Sequence, residues 1–442
     1  MNRNTSGLRR RTLARAGLTG AAAAPLLAAC GDDGGGDSGP VTVTLWSDKA
    51  GMEESVAAFN EAHDADDIQV EYVEVPAPEM VNQVNQAVEA GDADNAPWLF
   101  QSDNRNGAEL LAQEQIVDIG ELLEPHADRF NPAALESLSI GGIAYGVPNM
   151  MNAHFVMVWE PAFTEAGIEI PSSWEEVVEA GKTLKEDGRY VFNFAGEDPS
   201  TFMNMTWQAG ARWFRIDGDA WRVDIDSDTA RYVADLVQQL FDDELVEKIS
   251  YADYAAMMQE YDAGNIALRQ TSTWQLAGHQ ANMDATLGQW RFAPNLGIMN
   301  GDTISAGDTG GLMVSSLCPR PDRAVEAAVW LSTESEPVAT MARPDSGSGW
   351  YPAVADAEPY LDDVVPAELL GDNAEDAVPV IMESAHFSSD WAYPPNSTSM
   401  YEELADQWGK AMAGELPFAD ILPHMQEWTV NDLKDRGIDV VE

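Results

Sequence analysis

Few of the chemically capable residues in this sequence are spaced for catalysis. The six histidines (His63, His126, His154, His279, His386 and His424) never fall into the H-E-x-x-H spacing that puts two imidazoles on one helical face for zinc. Gly347-Ser348-Gly349 lacks the frame of a G-x-S-x-G nucleophile elbow. Neither a Walker A loop nor a G-x-G-x-x-G turn occurs. Asp224, Asp226 and Asp228 open like a calcium loop, but the sixth position, where the turn requires glycine, holds Thr229. Asp228 is read instead as the cap of the helix that follows. With 75 acids a carboxylate pair for glycoside hydrolysis is always available, yet nothing singles one out. No metal or cofactor is expected. Recognition chemistry fits better. Ser47, Asp48 and Lys49 follow one strand-like segment, Asp103, Asn104 and Arg105 a second, and Trp274 a third. Trp350 follows Ser346-Gly347-Ser348-Gly349, and Trp391 and Tyr393 precede Pro394-Pro395. Carboxylates and amides answer hydroxyl groups, and flat rings answer an apolar C–H face.

Positioning these groups requires strands and helices in alternation. Residues 41–46 (VTVTLW) read as a β-branched strand, 52–63 as a helix, 68–75 as an alternating strand, 79–90 as a helix, 98–101 as a short strand and 107–114 as a helix. This β-α-β-α-β rhythm predicts a parallel sheet covered by helices, with ligand groups at the carboxyl ends of the strands. A turn and short strand at 141–148 and an apolar strand at 154–159 follow. Ser173 with Glu176 forms a capping-box pattern ahead of a helix to 187. Helices are expected at 228–240, 251–263, 321–332, 401–413 and 418–435, and strands at 265–269, 290–293 and 312–314. Trp46 suits either core or cleft, Trp159 and Trp174 read as packing, and Trp207 and Trp213 are secondary candidates for lining a cleft.

The chain of 442 residues, 45% hydrophobic, is long enough for two or three domains. Its 75 Asp and Glu against 24 Lys and Arg give a net charge of −51. Such a field repels phosphate, which excludes nucleic acid and anionic membrane surfaces as partners. It suits concentrated salt, where the Debye length shrinks to about 3 Å at 1 M, so a halophilic source is expected.

The first 29 residues read as a signal peptide. Arg9-Arg10-Arg11-Thr12-Leu13 leads into an apolar stretch from Ala16 to Ala29, too short for a spanning helix. The arginines resemble a twin-arginine export signal, with an Arg-rich Sec signal as the alternative. Leu27-Ala28-Ala29-Cys30 matches a lipobox, so Cys30 is the expected lipidated N-terminus, and 30–40 the flexible linker. Cys318 then has no disulfide partner and is expected to be a buried, inert thiol.

Five segments in order resemble the extracellular solute-binding proteins of sugar ABC importers, the family 1 type that includes maltodextrin- and trehalose-binding proteins. They are Thr44-Leu45-Trp46-Ser47-Asp48-Lys49; Gly142-Ile143-Ala144-Tyr145-Gly146-Val147-Pro148; 158–168 with Pro171-Ser172-Ser173-Trp174-Glu175-Glu176; 261–268 running on to Trp274; and Asp308-Thr309-Gly310-Gly311. The resemblance implies an α/β fold of the two-lobe periplasmic-binding-protein kind (type II), its discontinuous lobes joined by a hinge with a ligand cleft between them. Lobe one would comprise 41–150 and 312–375, and lobe two 151–311 and 376–442. Asn149 and Asn152 would flank the first crossover, and Gly310 and Gly311 would let backbone approach the ligand. The implied role is a lipid-anchored, monomeric protein on the outer face of the membrane. It would capture a di- or oligosaccharide for a membrane ABC permease and do no chemistry. Alternatives are a polyamine or glycerophosphodiester on the same fold, or a cell-surface glycoside hydrolase.

Overall fold

The computed structural model describes residues 41–63, 68–299, 307–386 and 391–441; the expected leader, Cys30 and linker lie outside the described residues. In chain order, β1 (Val41–Ser47), β2 (Ile68–Glu74), β3 (Leu99–Asp103) and β4 (Gly146–Ala153) belong to a larger sheet. A smaller sheet contains β5 (Phe155–Trp159), β6 (Leu268–Thr271) and β7 (Trp290–Ala293). Then β8 (Gly307–Val314) and β9 (Tyr351–Pro352) return to the larger one. Its order is β9-β4-β8-β3-β1-β2.

The expected parallel rhythm holds for half of this sheet. β1 pairs in parallel with both β2 and β3, through the crossover helices α1 (Met52–Ala62) and α2 (Ala77–Ala90). The other half is antiparallel: β8 runs against β3 and β4, and β9 against β4. Alternation explains β1, where Val43, Leu45 and Ser47 turn inward and the intervening residues do not. One face of the sheet buries Val56 and Phe59 of α1 with Val325 and Ala328 of helix Pro321–Thr333. The other buries Met80 and Val84 of α2 with Leu110 of α3 (Asn104–Ala112).

All five residues of β5 are buried because antiparallel neighbours flank it and helices cover both faces. Rings dominate the core around this smaller sheet: Trp174, Phe192 and Phe194 pack together, and Trp408 meets Phe194, Phe202 and Phe418. Trp159, Trp207 and Trp213 are buried as well, so neither secondary candidate presents its ring to solvent. Helices Ala367–Leu370 and Ala377–Ser384 also pack on β7.

The Ser173 cap forms as expected, with Glu176 N donating to Ser173 Oγ at 3.2 Å. The Glu176 carboxylate reaches one residue further back, accepting from Ser172 N and Oγ. Asp228 does not cap its helix. Ser227 does, its side chain accepting from Ala230 N, and Asp226 pairs instead with Arg231 at 2.6 Å. Helices Ser200–Gln208, Ser335–Ala342 and Ala377–Ser384 have no counterpart in the sequence reading. The first is buried along its length and shows no polar face to set a period. Cys318 is a buried free thiol, and burial pushes its pKa up to about 11.

Candidate functional site

A cavity of about 400 Å³ opens where the carboxyl ends of β1 and β3 face the turn after β6. Asp48, Lys49, Asp103, Arg105, Asn152, Trp274, Gly310 and Trp350 of the sequence-derived set line it. On the floor, β8 crosses β3 with Gly310 opposite Asp103. A Cβ on Gly310 would come within 2.6 Å of Met150 Cγ, so glycine is what allows β8 and β4 to close here.

The charged groups are paired inside the cavity. Asp48 Oδ2 accepts from Ala77 N at 2.8 Å, and Lys49 Nζ lies 3.0 Å from Asp48 Oδ1. Burial alone would raise the Asp48 pKa, but the Ala77 N–H and the Lys49 ammonium bring it below the ordinary value. Asp103 caps α3 by accepting from Arg105 N and also holds the Arg105 guanidinium at 3.0 Å. Asp308 Oδ2 stands 3.9 Å from Arg105 Nε, and these two carboxylates together hold the guanidinium firmly charged.

Trp274 supplies the aromatic face. It is 53% exposed, whereas most of the other indoles are buried. Its turn, Thr273–Gln275, is fastened from behind. Thr271 Oγ1 donates to Gln275 Oε1 at 3.1 Å and lies 3.1 Å from His279 Nε2. Arg269 Nε donates to His279 Nε2 at 3.2 Å, which assigns the proton to Nδ1, 3.4 Å from Tyr254 Oη. Burial first, and Arg269 second, push His279 well below the usual imidazole range, so it stays neutral. Gly349, at φ +62°, brings the Trp350 loop against this turn: a Cβ there would sit 3.4 Å from Trp274 Cα. Trp350 itself is nearly buried, at 4% exposure.

Six candidates are placed elsewhere. Ser47 is fully buried, and its Oγ accepts from Lys49 N, shaping the turn. Asn149 exchanges amide hydrogen bonds with Gln101, which takes its place on the cavity wall. Gly311 is a packing position, since a Cβ would lie 2.6 Å from Val147 O. Asn104 is buried, its Oδ1 accepting from Thr309 N. Together with Trp391 and Tyr393 it lines a second cavity, of about 210 Å³. Trp391 stacks on Trp207 with centroids 5.2 Å apart, and Tyr393 Oη donates to Asp308 Oδ1 at 2.7 Å. The sequence reading missed Gln101, Ser102, Asn106 and Ser348. Strand period two puts Gln101 on the face of Asp103, a signal available beforehand. Asn106 depends on how α3 starts, and Ser348 on a loop fold.

Two α/β bodies on separate sheets, joined by crossovers at His154 and after β7, with a polar and aromatic cavity at their junction, define a type II binding protein. The chain belongs to the bacterial extracellular solute-binding protein family, whose model matches residues 45–336. No curated protein sequence matches it. Among solved structures it is similar to the galacto-N-biose-/lacto-N-biose I-binding protein of the ABC transporter from Bifidobacterium longum. The TM-score is 0.78 at 22% identity, over 92% of this chain and 100% of that one. It is also similar to an ABC transporter associated binding protein from B. animalis subsp. lactis, in complex with beta-1,6-galactobiose (TM-score 0.73, 19% identity, 91% and 99% coverage). The GacH receptor of Streptomyces glaucescens aligns with TM-score 0.68 at 18% identity, over 89% of this chain and 98% of that one. Among the described residues, no helix is long and apolar enough to cross a membrane.

Proposed function

We propose that this protein is the extracellular binding subunit of a sugar ABC importer and captures a neutral di- or oligosaccharide between its lobes. The observation that carries this reading is the cavity itself. An exposed indole, Trp274, faces it together with carboxylates, amides and two cations whose charges are already balanced. Asp48 and Asp103 are paired with Lys49 and Arg105, and Asp308 shares Arg105 while accepting from Tyr393. This leaves a single carboxylate charge in excess, too little to form a cage for the several ammonium groups of a polyamine. The same pairing leaves no unbalanced cation for a glycerophosphodiester. A glycosidase needs an acid with a raised pKa, and Asp48 is lowered.

The ligand closes the lobes by touching both, Trp274 on one side and Asp48 and Asp103 on the other. Micromolar affinity, about 8 kcal/mol, suffices for capture and still permits release to a permease. The protein acts as a monomer, exported by the twin-arginine route and anchored through a lipid on Cys30. Because Ala367–Leu370 and Ala377–Ser384 pack on the smaller sheet, we place the return crossover to lobe two before residue 367 rather than at 375. The acidic surface belongs to a protein that works in concentrated salt. A thermal-shift and Trp-fluorescence screen in molar KCl tests this reading against maltose, trehalose, galactobiose, longer glucans, spermidine and glycerol phosphate. Saturable stabilisation by one sugar class without product supports it. Stabilisation by spermidine alone, or by nothing, overturns it.

A further inference from the structure

Outside the cleft, α2 carries a second feature with the chemistry of a carbohydrate site. A groove of about 620 Å³ runs along the helix, with Trp46, Asn82, Gln83, Gln86 and Asn95 among its walls. It shares no lining residue with the cleft cavity, which uses Ala77, Met80 and Val81 of the same helix. The local sequence, Val-Asn-Gln-Val-Asn-Gln at 81–86, contains no charged residue, in a chain with 75 acids.

Trp46 is half-buried, and it packs against the apolar cluster that holds Val84 and Phe100. Its indole N–H and the side chains of Asn82 and Gln86 make no hydrogen bond to any described residue. The two acids of the groove are already engaged: Gln83 Nε2 donates to Glu79 Oε2 at 3.0 Å, and Asn95 Nδ2 to Asp92 Oδ2 at 2.9 Å. No Lys or Arg lines it. An anion has nothing to bind, and the two carboxylates, each already accepting an amide hydrogen bond, belong to Glu79 and Asp92 at the ends of α2 rather than to the stretch around Asn82 and Gln86. A neutral ligand with many hydroxyls and an apolar face matches a ring flanked by free amides, each offering both donor and acceptor.

We propose that this groove is a second carbohydrate site, which holds a pyranose ring against Trp46 with its hydroxyls bonded by Asn82 and Gln86. The proposal stands on the groove's own lining and does not depend on the reading of the cleft. It is tested by calorimetric titration of the full chain in molar KCl with two probes, maltoheptaose and a β-1,6-linked galactotetraose, at up to about 10 mM, enough to saturate a millimolar site. Wild type, Trp274→Ala, the double variant Asn82→Ala/Gln86→Ala and Trp46→Ala are compared. Asn82 and Gln86 are exposed, so the double variant keeps its fold even where Trp46→Ala does not. The expected result is a weak site in Trp274→Ala with at least one probe, weakened about tenfold or more in the double variant. The proposal is overturned if Trp274→Ala binds neither probe, or if the double variant binds as wild type does. A weak site lost in the double variant, with no binding that depends on Trp274, sinks the cleft reading and leaves this one intact.

Discussion

Replacing Trp274 by alanine separates recognition from folding. A tryptophan side chain offers about 250 Å², and at 53% exposure roughly 130 Å² of Trp274 is open to solvent. A sugar stacked on one face covers about half of that, roughly 65 Å². At ~25 cal/mol per Å² this is about 1.6 kcal/mol. The oriented contact adds ~0.5–1.5 kcal/mol. The expected loss is therefore about 2–3 kcal/mol, a rise in Kd of roughly 30- to 160-fold. Stability should fall by at most about 3 kcal/mol, the ~120 Å² of the side chain that is covered taken at ~25 cal/mol per Å², since the turn itself is fastened by Thr271, Gln275 and His279. Calorimetric titration with the best ligand of the screen gives the first number, and a thermal melt of the unliganded variant the second. Unchanged affinity would refute the placement of the sugar against Trp274. A loss of stability beyond that bound would refute the claim that the ring is held out for a ligand.

Gly311→Ala should destabilise the fold more than Gly310→Ala, since its Cβ meets the Val147 carbonyl while Gly310's meets the movable Met150 side chain. About 1–3 kcal/mol is expected, with Gly310→Ala at the lower end and weakening the ligand by pushing Met150 into the cavity; urea unfolding and titration check both. His279 binds its proton more weakly folded than unfolded. Its contribution to stability is therefore complete above an unfolded pKa of ~6.5 and falls as pH drops below it, by up to ~1.4 kcal/mol per pH unit. His279→Gln keeps an acceptor for Arg269 and should flatten the melting temperature measured from about pH 7.5 to 5, though His154, also depressed by burial, retains part of the slope. Raising KCl from about 0.1 to 2 M should raise the melting temperature by screening the net charge of −51; a flat response would remove the case for a salt-adapted surface.

Much of the plan was legible in the residues alone. Period two in Val41–Ser47, the apolar run of β5 and the Ser173 cap are set by contacts within a few positions, so strands, helices and their order follow from local chemistry. The charge balance likewise needs no structure. The same reasoning put Asp48, Asp103 and Arg105 at strand ends, because a parallel sheet presents its carboxyl ends together.

Tertiary structure decided the rest. Ser47 and Asn149 looked like ligand groups by type, yet the fold turns one inward to shape a turn and pairs the other with Gln101. Trp391 and Tyr393 lie more than 100 residues from Trp274 in sequence, and only packing assigns them to the second cavity beside Asn104. Likewise, that Trp274 is open while Trp207 and Trp213 are closed depends on neighbours far away in sequence. An indole has the same composition in a core as in a cleft; what distinguishes them is which surfaces arrive to cover it, a long-range property that residue type and spacing do not encode.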